Sequence, residues 1–260
     1  MIDLTDHGRV RELRLNRPPA NAFNPALVAE LTKQITAAPA AGADAIVISG
    51  APGLFTGGLD VPELLTLTRD EMRAFFRSFY TLLREVAASE VPIAAALTGH
   101  APAAGAVLAV FCDHRVMAEG RYKIGMNEVQ VGLAVPPMLQ YAMKRLVGPR
   151  QGDALLIAGA LVTPDEALRI GLVDAVVPVE EVVPTAIRWA EGLIALPRAA
   201  MRDTRRSARA DLAAQFRDMS EASYEEAAAR WFGEETRDTM RALVERLGKT
   251  EGKTEGKRGA

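Results

Sequence analysis

A chain of 260 residues, 49% hydrophobic and 25% charged, has the balance of a folded globular protein and excludes a generally disordered one. Its formal net charge of −2 removes any general electrostatic reason to expect nucleic acid or an anionic membrane as a partner. The single cysteine, Cys112, excludes a disulfide framework, and with His7, His100 and His114 it shows no metal-ligand spacing, so no metal site is expected.

The length suits one large α/β domain with a helical appendage. No apolar window reaches the length of a membrane span, and the opening Met-Ile-Asp-Leu-Thr-Asp is unlike a secretion signal. The expected compartment is the cytoplasm. Arg9 to Leu15 alternates polar and apolar residues, as a half-exposed strand does. Asn16-Arg17-Pro18-Pro19 stops it, because proline removes a ladder donor. Asn24-Pro25 reads as a helix N-cap and first helical residue, and Leu27, Leu31 and Ile35 follow on one face. Ala45 to Ile48 is a short buried strand.

A glycine-rich loop follows, from Gly50 to Asp60. Asp60 and Glu63 have capping-box spacing. Arg69 to Ser89 is a long amphipathic helix carrying Phe75, Phe76 and Phe79. Pro92 to Leu97 is another buried strand, and Gly99 to Gly105 a second small-residue loop that runs into an apolar helix, Ala106 to Cys112. His114 to Ala118 is a strand, and Lys123 to Gly132 carries an isolated acid, Glu128. Helices are expected over Pro136 to Leu146, Arg150 to Ala158 and Pro164 to Ile170, then a strand over Leu172 to Val177. Glu180 to Leu247 has only helical patterning. The polar repeats of Gly248 to Ala260 offer no apolar face and predict a disordered tail. The expected division is residues 1–195 as the core, 196–247 as a helical region and 248–260 as tail.

The two glycine loops share one grammar: an apolar strand, small residues, then a helix. Such loops turn backbone N–H groups toward a ligand, and a helix start leaves donors unpaired. Two N–H groups aimed at one point would make an oxyanion hole, although loops of this kind often only turn the chain. Neither loop has the Gly-Lys-Ser/Thr of a phosphate-binding P-loop or the full Gly-x-Gly-x-x-Gly of a dinucleotide site.

Five ordered segments resemble the crotonase superfamily: Asn16 to Ala22; Phe55-Thr56-Gly57-Gly58-Leu59-Asp60; Gly99 to Val107 with Cys112-Asp113-His114-Arg115; Ile124 to Leu133; and Ala167 to Pro178. The resemblance runs from about Arg9 to Leu247. It implies an α/β fold, a spiral of ββα units with a C-terminal helical oligomerisation region, assembled as a homotrimer or a hexamer made of two trimers. It implies an acyl-CoA thioester as substrate, with coenzyme A part of that substrate and no separate cofactor. The backbone N–H groups of Leu59 and Ala104 would form the oxyanion hole. Ala20, Ala22, Gly57, Gly58, Asp60, Val61 and Val107 would line the substrate passage, and Glu128 would carry the proton.

The sequence departs from the family pattern at position 107. Hydratases of the family usually carry a glutamate there, and this chain has Val107. One acid kept and one lost resembles the mitochondrial-type Δ3,Δ2-enoyl-CoA isomerases. The chemistry agrees, because hydration needs a held and activated water, whereas a double-bond shift needs one group that takes a proton and returns it. Two other readings stay open. One is a hydratase drawing its second acid from elsewhere, such as Glu63; the other is an acyl-CoA-binding protein with little catalysis. Arg198, Arg202, Arg205, Arg206 and Arg209 form a basic helical stretch, read either as a solvated face or as a contact for the CoA 3′-phosphate. Asp60 reads as a helix cap, and His100, His114 and Cys112 as structural.

Overall fold

In a computed structural model, the backbone is described through residue 255 and side chains through residue 246. The chain opens with β1 (Ile2–His7) and β2 (Val10–Leu15), an antiparallel pair. Helix α1 (Pro25–Ala37) is capped by the Asn24 side chain, which accepts from the Leu27 N–H. Strand β3 (Ala45–Ser49) leads to the short β4 (Gly53–Leu54), the one-turn α2 (Val61–Leu64) and α3 (Arg69–Ala88). The same alternation recurs in β5 (Ile93–Leu97), β6 (Gly99–Pro102) and α4 (Ala104–Val110). It recurs again in β7 (His114–Ala118), β8 (Ile124–Gly125) and α5 (Pro137–Val147). Each turn of this ββα spiral gives one strand to a six-stranded sheet, ordered β1-β2-β3-β5-β7 and then β9 (Ala175–Val177). The other strand goes to a small sheet ordered β4-β6-β8. From β2 onward all pairs are parallel.

The large sheet is covered on both faces, so its central strands read as unbroken apolar runs. Ile46 and Ile48 of β3, with Ile93, Ala95 and Leu97 of β5, face the main core of α1, α3 and α4. The alternate residues Ala45, Val47, Ala94 and Ala96 face α8 (Val182–Ile194), which buries Val182, Ala186 and Ala190 at four-residue spacing. Alanines on both sides let that helix lie close to the sheet. Between these layers and the C-terminus lie α6 (Pro149–Ala158) and α7 (Pro164–Arg169). After α8 come α9 (Arg198–Ala208), α10 (Ala210–Ala214), α11 (Glu221–Trp231) and α12 (Glu234–Glu255). Among the described residues, no helix is long and apolar enough to cross a membrane.

Several local expectations are corrected. Strand β1 was not foreseen, because four of its six residues are exposed and no apolar alternation marks it. Strand β6 lies inside the second glycine loop. Its partner β4 approaches so closely that a Cβ on Gly99 would lie 1.9 Å from the Gly53 carbonyl carbon, and only glycine fits. The last strand starts at Ala175, since Leu172 and Val173 belong to the turn after α7. Helix α12 runs Glu234–Glu255. Adding residues to an existing helix needs no new nucleus, so a polar segment can follow. Residues 256–260 lie outside the described part.

The arginine stretch is partly solvated, and its guanidinium groups are engaged by acids of the same chain. Arg198 and Arg202 pair with Asp44 at 2.7 and 3.1 Å. Arg205 and Arg209 pair with Asp113 at 2.7 and 3.2 Å. Arg209 also donates to the carbonyls of Ala87, Phe111 and Cys112, at the ends of α3 and α4. Arg198 and Arg206 are exposed, and Arg206 pairs with Asp203. These charges tie α9 to the core.

Candidate active site

The first loop is held by its own backbone. The Gly57 N–H donates to the Ala20 carbonyl at 2.8 Å, and the Gly58 N–H to the Thr56 hydroxyl at 3.1 Å. Phe23 donates to the Gly58 carbonyl and accepts from the Asp60 N–H, at 2.8 and 3.0 Å. Between these bonds, no partner within the described chain takes the Leu59 N–H. Gly58 has φ +97°, a value that side chains resist.

The second loop ends on Ala103, a non-glycine residue at φ 46° and ψ −117°. Such backbone costs on the order of 1–3 kcal/mol and persists only where its surroundings enforce it. Here the Ala103 N–H donates to the Gly125 carbonyl at 2.9 Å, and the Val107 N–H to the Ala103 carbonyl at 2.9 Å. The strain starts α4 at Ala104, two residues before the expected Ala106, and leaves the Ala104 N–H among the unpaired first-turn donors. The two loops are adjacent: a Cβ on Gly58 would lie 3.9 Å from the Ala104 nitrogen.

Strand β8 brings in the third component. It pairs with β6, and two residues later the chain enters a 3-10 turn, Glu128–Val131, closed by Gly132 in the left-handed conformation. Glu128 as a whole is half-buried, but its Oε2 is shielded from water and has no hydrogen-bond partner. Burial pushes its carboxyl up to about 7, against a weaker opposing bond from its own backbone N–H.

Leu59, Ala104, Val107 and Glu128 all line one cavity of about 70 Å³. Its remaining wall is largely apolar and includes Phe76 and Phe79 of α3, with Leu133 and Leu139. Phe76 and Phe79 were read only as members of an amphipathic helix, because a single apolar face does not reveal which of its members border empty space. Ala20, Ala22, Gly57, Gly58, Asp60 and Val61 do not line this cavity. Gly57, Gly58 and Asp60 flank Leu59 in its loop, Val61 starts α2, and Ala20 and Ala22 lie on the segment before α1 that this loop bonds to.

Asp60 does cap α2, accepting from the Glu63 N–H at 3.1 Å, and also pairs with Arg17 at 2.7 Å. The reciprocal half of that capping box is missing, because Glu63 turns to Arg17 at 2.9 Å and to the Asn24 amide at 2.9 and 3.0 Å. Glu63 therefore contributes no acid to the cavity. The complete box is Thr68 with Glu71. His100 accepts from the Lys123 N–H, and His114 stacks on Trp189 with ring centres 4.7 Å apart. The Cys112 thiol is buried and pushed up to about 12, unsuited to nucleophilic attack.

This arrangement places a carboxyl with a raised pKa and one unpaired oxygen in a largely apolar cavity lined also by two residues with helix- and loop-borne N–H groups. It suits proton transfer next to a developing oxyanion. Residues 5–250 match the family model described as enoyl-CoA hydratase/isomerase. The chain is 30% identical over 191 residues to the mitochondrial enoyl-CoA delta isomerase 1 of Homo sapiens, covering 72% of this chain and 63% of that protein. It is 32% identical over 198 residues to a probable enoyl-CoA hydratase of Mycobacterium leprae, covering 75% of each. Among solved structures, human mitochondrial Δ3-Δ2-enoyl-CoA isomerase superposes with a TM-score of 0.91 at 26% identity, covering 96% of this chain and 98% of that one. The matched stretch thus spans under two thirds of the human curated sequence, whereas the structural match is nearly end to end.

Proposed function

The chain belongs to the enoyl-CoA hydratase/isomerase family, and from that premise we propose that it is an isomerase moving the double bond of a 3-enoyl-CoA to the 2-position. The observation that carries the reading is a single unpaired carboxylate, Glu128, facing Val107 across a cavity that holds no second acid. In this reading Glu128 removes a proton from C2 of the thioester. The electron pair moves into the C2–C1 bond and onto the thioester oxygen, which the N–H groups of Leu59 and Ala104 stabilise. As the carbonyl re-forms, the C2–C3 double bond is made and C4 takes the proton back from Glu128. No water enters or leaves.

A carboxyl near 7 suits both halves of this cycle, because it is a stronger base than an ordinary carboxylate and still acidic enough to return the proton, while the oxyanion donors lower the cost of forming the enolate. Each oxyanion donor would contribute about 10²–10³ in rate. Hydration requires a second group to hold and activate water; Val107 cannot do so, and Glu63 is committed to Arg17 and Asn24. The test is to give the purified protein a 3-enoyl-CoA and, separately, a 2-enoyl-CoA. Appearance of conjugated-thioester absorbance from the first, without a gain of mass, is the expected result. Gain of water by the second substrate would replace this reading with a hydratase, and inertness toward both would leave a binding protein.

A further inference from the structure

The loop that carries Leu59 is tied to the segment before α1 by backbone and by one side chain. Phe23 pairs with Leu59 in a parallel bridge, through its backbone bonds to Gly58 and Asp60. Arg17 closes the same contact from both sides. Its Nη1 donates to the Ala22 carbonyl at 3.1 Å, one residue before Phe23. Its Nη2 meets the Asp60 carboxylate at 2.7 Å, one residue after Leu59, and Glu63 at 2.9 Å. The Arg17 and Asp60 side chains are 22% and 15% exposed, so salt screens this pair weakly. Among the described residues, no other cation pairs with either acid.

We propose that Arg17 is a positioning residue for the oxyanion donor of Leu59, acting through Asp60. The inference rests on the thioester reading above. Arg17 does not line the Glu128 cavity, so it reaches the reaction only through the loop. Two effects carry it. The peptide between Gly58 and Leu59 sets where the donor points, and the Asp60 side chain next along the chain is held between Arg17 and the Glu63 N–H. That grip limits how far the peptide can rotate. The second effect is charge. An uncompensated carboxylate on the residue after the donor would oppose the negative charge forming on the thioester oxygen, and Arg17 supplies the compensation. The backbone bonds from Ala20 and Phe23 remain without Arg17, so the loop keeps its path.

The test reads the carbonyl directly, without turnover. A thioester carbonyl polarised by two N–H donors absorbs at lower frequency, so butanoyl-CoA isotope-labelled at that carbon reports the donors by infrared difference spectroscopy. The wild type should shift the band down, and Arg17→Ala should lose about half or more of the displacement. On a 3-enoyl-CoA, kcat should fall about 10- to 100-fold with KM within about threefold, the scale of a small misplacement. Asp60→Asn removes the charge and keeps a side chain able to cap α2. In that background Arg17→Ala should cost less than about threefold, because groups that act as a unit are not additive. Arg17→Lys, with a point charge in place of the fork, should restore part of both readouts, and it carries the same comparison if the alanine variant does not fold. A merely structural role would lower the melting temperature and leave the band in place. Equal losses in the two backgrounds, or a band that neither Arg17 variant moves, overturn the inference. A wild type that shifts the band yet isomerises nothing would remove the isomerase reading alone; isomerisation without a band shift would remove this inference alone.

Discussion

Glu128 and Asp113 are both carboxylates withdrawn from water, and the fold gives them opposite surroundings. Asp113, at the end of α4, is met by two guanidinium groups, Arg205 and Arg209, and also accepts from the Ile93 N–H. Glu128, which shares a cavity with Ala104 and Val107 of the same helix, lies in a largely apolar wall and keeps one shielded, partnerless oxygen. A buried charge is tolerable when compensated, and an uncompensated carboxyl instead holds its proton to higher pH. The first arrangement fastens a helix; the second stores a reactive group. Burial alone therefore separates nothing, and the partners decide.

The sharpest break of this comparison is Glu128→Gln. It should lower isomerase kcat by about 10²–10⁴, the range for a positioned acid–base group, with melting temperature kept or raised. Wild-type turnover in that variant would remove Glu128 from the chemistry. The mirror experiment is Asp113→Asn, which leaves two buried guanidinium groups short of a counter-charge. A loss of about 3–5 kcal/mol in denaturant unfolding is expected, with activity per folded molecule largely retained. A loss of activity without a loss of stability would contradict the structural role given to this acid.

Proton linkage sharpens the contrast further. The Glu128 carboxyl is raised from an ordinary 4.5 to about 7 in the folded chain, so the folded state holds a proton that the unfolded state releases. Its contribution to stability is complete below about 4.5 and is lost as pH rises through about 7. The melting temperature of the wild type, compared with Glu128→Gln, should therefore fall between pH 5 and pH 8. A flat difference over that window would mean that Glu128 is ordinarily solvated. The smallest effect should come from Glu63→Gln, because that acid is itself in contact with solvent and lies outside the Glu128 cavity. Activity should change by less than about fivefold, matching the ~1 kcal/mol ceiling of such a pair.

Much of this was legible in the sequence where one local pattern decides the outcome. β3 and β5 were visible as apolar runs because both sheet faces are covered. Leu59, Ala104, Val107 and Glu128 were visible through the resemblance to a known family, and they meet in one cavity. What stayed hidden depends on distant partners. Nothing near Glu63 announces Arg17, 46 positions away, and nothing near Arg205 announces Asp113, 92 positions away. A basic run looks solvated until the acids that face it are known. β1 carries too little apolar signal to be seen, and its place is set by pairing with β2.

The contact between Gly53 and Gly99 has a consequence for how the site tolerates variation. The strands bearing the two donor loops touch backbone to backbone, with no side chain between them to flex or be exchanged. Loops joined in this way have their spacing fixed by main chain, so on the proposed reading the two donors would be positioned before a ligand binds. In a saturation library, position 99 should then accept almost nothing, while Val107, which only fills volume in the wall, should accept other apolar residues and let the wall be reshaped.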